Sequence, residues 1–224
     1  MNKENNAHRA KVGPPAKWDV IGFQQLAILV HLGMRKEHHL LDVGCGCLRA
    51  GRFLINYLEP GGYYGIEPDQ ALLQKGIERE VGQGLVNIKA PVFDPEEDFT
   101  LTKFGRSFDF LLAQSIFSHA PQRQVARCLR EAREVMIKKS VFAFSFAQSH
   151  DGKRYEGDRW APMARYPAAT IESLSRTAGL RFGLLTWPHP NTLTWAYAVR
   201  EDFPGGTRGQ GIFPPGMTGP FAKE

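Results

Sequence analysis

Short continuous apolar runs alternate with longer stretches of helical periodicity along most of this chain. Residues 18–34 carry the apolar residues Ile21, Leu26, Leu29, Val30 and Met34, the last four linked by three- and four-residue spacings, which predicts an amphipathic helix. "HLLDV" (39–43) is short, apolar and closed by glycine, the pattern of a strand buried on both faces. A helix follows in "RAGRFLINYLEPGG", stopped by Pro60-Gly61-Gly62, and then a second buried strand in "YYGIE". "PDQALLQKGIEREVGQG" predicts another helix, with Pro68 in its first turn and Gly82 as its stop. Beyond a segment of weak pattern come the strand "FDFLLA" (108–113), a helix opening at Pro121 and the strand "VFAFSF" (141–146).

Strands and helices in this alternation predict an α/β domain with a mostly parallel, doubly wound sheet. The rhythm changes near the end. The helix "AATIESLSRTAG" leads into "LRFGLLTW", then "PHPNT", then "LTWAYAVR". So short a connection forces the last two strands to pair antiparallel, because a parallel pair needs a long crossover. The expected division is a flexible N-terminal arm (1–17), one domain (18–200) and a Gly/Pro-rich C-terminal tail (201–224), with Phe203, Phe213 and Phe221 placed to pin the tail.

Composition narrows the picture modestly. The chain has 224 residues, enough for a sizeable single core. No apolar run reaches the ~18 residues of a membrane span, and the polar start lacks the apolar segment of a secretory signal. Three cysteines, an odd number, point to a reducing, cytoplasmic setting. A formal charge of +5 is compatible with an acidic partner, but no dense Lys/Arg block with interleaved aromatics accompanies it.

The chemistry concentrates in "LLDVGCGCLRAG" (40–51), between the first strand and its helix. In doubly wound folds this is the ligand crevice. Cys45 and Cys47 supply two thiolates, short of the four ligands of a structural zinc, so no metal is expected. A dinucleotide fingerprint requires a third glycine where Arg49 stands, which excludes tight packing beneath a pyrophosphate.

Asp42, Gly44 and Gly46, followed about 20 residues on by the acid Glu67 at the end of the next strand, resemble the first two motifs of class I S-adenosylmethionine-dependent methyltransferases. The resemblance runs through "YYGIEPD" and "FDFLLAQSIFSHAP" to the closing hairpin, and covers most of residues 18–200. "LDVGCGCLRAG" looks most like small bacterial members that act on small molecules. The implied fold is Rossmann-like, a doubly wound sheet ending in an antiparallel hairpin, and the implied cofactor is S-adenosyl-L-methionine. Where the family often has a third glycine, this chain has Leu48.

The resemblance assigns cofactor contacts residue by residue. Gly44, Cys45 and Gly46 form the loop along the methionine half, Asp42 faces the loop amides or the cofactor ammonium, and Arg49 faces its carboxylate. Glu67 accepts hydrogen bonds from both ribose hydroxyls, Asp98 the adenine amino group, and Gln114 and Ser115 line the site. His119 is the candidate general base, its alternative role being to hydrogen-bond and shape its own loop. His150, Asp151, Tyr155 and Trp160 belong to either a substrate lid or a surface loop. His189 is expected to hold the hairpin turn. Trp18 and Gln25 either close over the cofactor or pack in the core.

The expected reaction is methyl transfer to an O or N atom of a small-molecule acceptor. Ala113-Gln114-Ser115-Ile116 replaces the Asn/Asp-Pro-Pro-aromatic motif of amino-methylating nucleic-acid enzymes, which counts against a nucleic-acid acceptor. A catalytically silent S-adenosylmethionine-binding protein is the alternative outside the enzyme class. Oligomeric state is not encoded in any pattern found here.

Overall fold

The computed structural model describes residues 7–204. Strand β1 (Leu40–Val43) is buried at all four positions, as a strand covered on both faces requires. It is flanked in parallel by β2 (Tyr63–Ile66) and β4 (Phe108–Ala113), with Asp42 opposite Gly65 on one side and Leu112 on the other. The short β3 (Val92–Asp94) continues the sheet beyond β2, and β5 (Met136–Gln148) continues it beyond β4. The last two strands of the described residues, β7 (Leu180–Leu185) and β8 (Thr194–Arg200), form the expected antiparallel pair, with β8 between β5 and β7. The order is therefore β3-β2-β1-β4-β5-β8-β7, with a two-residue β6 (Arg165–Tyr166) pairing beside the end of β5.

Helices cover both faces. α2 (Trp18–His31) and α3 (Gly51–Tyr57) bury Ile28, Leu29, Leu54 and Ile55 against one side. On the other, α6 (Gln122–Val135) buries Val125, Cys128, Leu129 and Ala132, and α7 (Ala168–Thr177) buries Ile171. Preceding α2 in the chain is the short α1 (Ala7–Ala10). Between β2 and β3 lie α4 (Gln70–Gly76), a π-helical turn (Ile77–Val81) and α5 (Gln83–Lys89).

Three local expectations need correction. Pro68 is not in the first turn of α4; Asp69 is the cap, its carboxylate accepting from Leu72 N–H at 2.9 Å. The predicted long helix loosens into the π-helical turn before stopping at Gly82. Residues 7–17, read as flexible for their polarity, are packed on the domain. His8 and Arg9 both reach Glu80, at 2.6 Å each, and the Glu80 side chain is only 2% exposed. Arg9 also lies over the Trp18 ring. Of the three tail phenylalanines, Phe203 packs against the core; Phe213 and Phe221 lie outside the described residues.

Candidate active site

The loop after β1 turns sharply because two successive amides, Gly44 and Cys45, donate to one carbonyl, that of Ile66, at 2.9 Å each. Gly44 and Gly46 take φ of +73° and +58°, which favour glycine. A Cβ on Gly44 would lie 2.2 Å from Ile116 Cδ1, and one on Gly46 would lie 2.8 Å from Val12 Cγ1. Leu48 has φ +61°, a left-handed backbone that L side chains rarely adopt. Burial of the Leu48 side chain in the core offsets a strain of ~1–2 kcal/mol.

Two acids frame this loop. Asp42 is buried and accepts from Tyr63 Oη at 2.7 Å; its other oxygen has no hydrogen-bond partner among the described residues. Burial raises its pKa to about 7, with the Tyr63 hydrogen bond and Arg49 opposing. Glu67 follows β2. One of its oxygens accepts from Gly46 N–H at 3.0 Å and the other from Asp69 N–H at 2.9 Å, so the carboxylate is fixed beside the loop with lone pairs to spare. Burial raises the Glu67 pKa as well, against these two backbone bonds.

Arg49 is the buried cation of the site. It donates from Nη1 to the Val12 carbonyl at 2.8 Å and from Nη2 to Gln114 Oε1, while its Nε is buried without a partner. Burial lowers its pKa to about 10, with Cys47 and Asp42 opposing, and leaves it cationic at neutral pH. The Gln114 amide nitrogen lies 3.1 Å from His189 Nε2, and His189 Nδ1 accepts from Asn191 N–H at 3.0 Å. Burial, reinforced by Arg49 and Lys17, drops His189 to about 4, so it is a neutral prop for the hairpin.

At the end of β4 the chain turns through Ser115, at φ +63°, whose N–H donates to Ser145 Oγ at 2.8 Å. His119 follows in the same loop. Its Nδ1 lies 2.9 Å from the Ala161 carbonyl, an oxygen that only accepts, so Nδ1 is the donor and the neutral ring presents its lone pair at Nε2. Among the described residues Nε2 has no hydrogen-bond partner. Residues 161–164 run alongside as a strap, with Ala161 N–H donating to the His119 carbonyl at 2.9 Å and Ala164 N–H to that of Ser118 at 2.6 Å.

These elements enclose one cavity of about 570 Å³. Asp42, Gly44, Cys45, Gly46, Arg49, Glu67, Gln114, Ser115 and His119 all line it, as does Gln25. Cys45 contributes only surface, since burial raises its thiol pKa well above the ordinary range. Asp98 is not brought to the cavity. Its side chain is 57% exposed, 3.8 Å from Arg127, because the neighbouring Phe99 turns inward at φ +60° and takes the buried position. Trp18 packs in the core against Cys47 and Leu72. His150 and Asp151 are exposed and do not line the cavity, and Tyr155 is tied to its own segment by a hydrogen bond to the Arg159 carbonyl at 3.0 Å.

Sequence reasoning missed the wall formed by Ala10–Gly13, together with Met163, Asn191 and Leu193. Val12 holds Arg49 and covers Gly46, and Lys11 pairs with Asp69 at 3.1 Å. Gly13, at φ +134° against Arg49, was the one signal in that polar stretch.

Fold and cavity together place a ligand crevice across the carboxyl ends of β1, β2 and β4. Residues 41–141 match the family model described as a methyltransferase domain. Among solved structures, the chain is similar to magnesium protoporphyrin IX methyltransferase of Synechocystis with bound S-adenosylmethionine: 19% identity, TM-score 0.58, covering 81% of this chain and 82% of that one. It is also similar to a sugar N-methyltransferase of Streptoalloteichus, at 16% identity and TM-score 0.60 over 82% of this chain and 87% of that one. An S-adenosylmethionine-dependent methyltransferase of Clostridium acetobutylicum matches at 13% identity and TM-score 0.60, over 88% and 95%. No curated protein matches the chain in sequence. The chain shares the fold of these S-adenosylmethionine-dependent methyltransferases. Among the described residues no helix is long and apolar enough to cross a membrane.

Proposed function

We propose that this protein transfers a methyl group from S-adenosylmethionine to an oxygen or nitrogen atom of a small molecule. One observation carries the reading. Asp42 and Arg49 are both buried in the same cavity, yet no ion pair joins them, and neither has an ion-pair partner among the described residues. A buried, unpaired acid and base are costly unless a ligand completes them. The amino-acid end of the cofactor carries one ammonium and one carboxylate, which matches this pair. Gly44 and Gly46 let Ile116 and Val12 close against the loop beside it, Cys45 adds a small wall, and Glu67 offers its remaining lone pairs to the ribose hydroxyls. Gln114 and Ser115 shape the side of the site nearest β4. When bound, the sulfonium supplies an electrophilic methyl group. The protein's own tasks are then to align acceptor and methyl, exclude water, and take up a proton at His119 Nε2.

Calorimetric titration of the purified protein with S-adenosylmethionine, S-adenosylhomocysteine and NAD tests the reading. Binding of the first two, and of NAD more weakly or not at all, is expected. Binding of NAD alone would overturn it.

The same pair predicts a pH dependence. The folded Asp42 pKa of about 7 lies above its ordinary 3.8, so the free protein holds this proton more tightly than the unfolded chain does. Its stability contribution therefore falls as pH rises between those values. The cofactor ammonium stabilises the ionised form and reverses that loss. Affinity is expected to tighten between about pH 5 and pH 7, by at most roughly tenfold per unit. Asp42→Asn should weaken binding and flatten this profile; an unchanged slope in calorimetry would reject the role of Asp42.

A further inference from the structure

Charge is distributed unevenly around the cavity. Its charged lining residues are Lys11, Asp42, Arg49 and Glu67, all contributed by the N-terminal arm and the β1 and β2 ends. The rest of the lining comes largely from the loop after β4, the 161–164 strap and the β7–β8 hairpin. It presents Ile116, Met163 and Leu193 as apolar surface, with Gln114, Ser115, His119 and Asn191 as polar groups and no charged residue. Ser118 is on this wall as well, but its hydroxyl is engaged with Ser115. Met163 is 45% exposed and lines the cavity, so its side chain is accessible to a ligand there.

We infer that the methyl acceptor is an uncharged, largely apolar molecule bearing an acidic hydroxyl of the phenol or enol type, with its hydrocarbon frame seated on Met163, Ile116 and Leu193. This inference rests on the reading of the cavity as a methyl-donor site and extends it to the acceptor. An alkylammonium acceptor, with a pKa near that of lysine (~10.4), would arrive protonated, its nucleophilic lone pair occupied. It would also lose water against a wall that offers no carboxylate. A carboxylate acceptor would find no cation there and would need no base. A hydroxyl acceptor uses what is present. Its oxygen forms the new C–O bond as the C–S bond breaks and the bonding pair passes to sulfur, turning sulfonium into thioether. The hydroxyl proton passes to His119 Nε2 and from there to water. The side chain of Asn191, without a hydrogen-bond partner among the described residues, is available to a neutral polar substituent on the acceptor.

The test is a panel of ring compounds of matched size bearing a phenolic hydroxyl, a carboxylate or an alkylamine, assayed with the full-length protein for S-adenosylhomocysteine release. Phenols are expected to exceed the other two classes at least tenfold in kcat/KM. Met163→Glu should lower phenol kcat/KM at least tenfold and shift the preference toward the amines, with S-adenosylhomocysteine affinity by calorimetry within about threefold of wild type. Preferential turnover of amines or carboxylates, or a Met163→Glu variant with unchanged selectivity, overturns the inference. So does a protein that binds S-adenosylhomocysteine but turns over no phenol in the panel. Absence of S-adenosylhomocysteine binding fails the cofactor reading instead, and is seen before any acceptor is added.

Discussion

Glu67→Ala is expected to weaken S-adenosylmethionine binding by about a hundredfold to ten-thousandfold. A hydrogen bond to a charged acceptor contributes ~1.5–3 kcal/mol, and a carboxylate that receives both ribose hydroxyls makes two of them. The substitution also frees the amides of Gly46 and Asp69, so the loop loses the group that fixes it relative to β2. Glu67→Gln separates these effects. An amide keeps one acceptor oxygen but places an N–H donor where the other oxygen accepts a backbone N–H, so it should bind better than alanine and well below wild type. Calorimetry with S-adenosylhomocysteine measures the affinities, and thermal unfolding without ligand is the control. Burial raises the Glu67 pKa, so its ionised form is a net strain on the free fold near neutral pH. A variant that binds like wild type would dissociate Glu67 from the ribose, and one that fails to fold would be recognised before any titration.

The residues that were legible in sequence share one physical property. Asp42, Glu67, Gln114 and His119 follow or end strands whose apolar runs announce them, and a parallel sheet delivers all such positions to one edge. Recognising strand ends was therefore enough to find residues that line one cavity. The hairpin was legible for a related reason: "PHPNT" is too short for anything except antiparallel pairing, and β7 and β8 pair that way. What was not legible depends on contacts between distant segments. β3 and β6 have three and two residues, too few to display a period. Residues 7–13 carry no apolar pattern; they are held by Glu80, Arg49 and Asp69, which lie far along the chain. Asp98 failed for a comparable reason. The β3–β4 loop turns on the backbone of Phe99, and which neighbour faces inward there is decided by the core it meets. Met163 reaches the cavity through backbone pairing of its strap with Ser118 and His119, a relation with no trace in local sequence.

That strap makes His119 the second position of large expected effect. If Nε2 takes the acceptor proton, His119→Ala should lower kcat by about a hundredfold to ten-thousandfold, the usual contribution of a positioned base. The competing role is structural, since the same ring donates from Nδ1 to the Ala161 carbonyl and so helps to dock residues 161–164. Alanine removes both functions, whereas His119→Asn keeps an N–H donor of similar reach and removes the base. The general-base role therefore expects asparagine to be about as slow as alanine, both variants binding S-adenosylhomocysteine within a few-fold of wild type. Both should also lose the limb of the kcat/KM–pH profile that reports a neutral imidazole, and added imidazole should restore part of the alanine rate. The structural role expects asparagine to recover most of the activity and to keep the wild-type pH profile. The two backbone bonds of the strap, Ala161 to His119 and Ala164 to Ser118, remain in every variant. The strap should therefore stay in place, and the rate difference between asparagine and histidine then measures proton transfer rather than folding of the site.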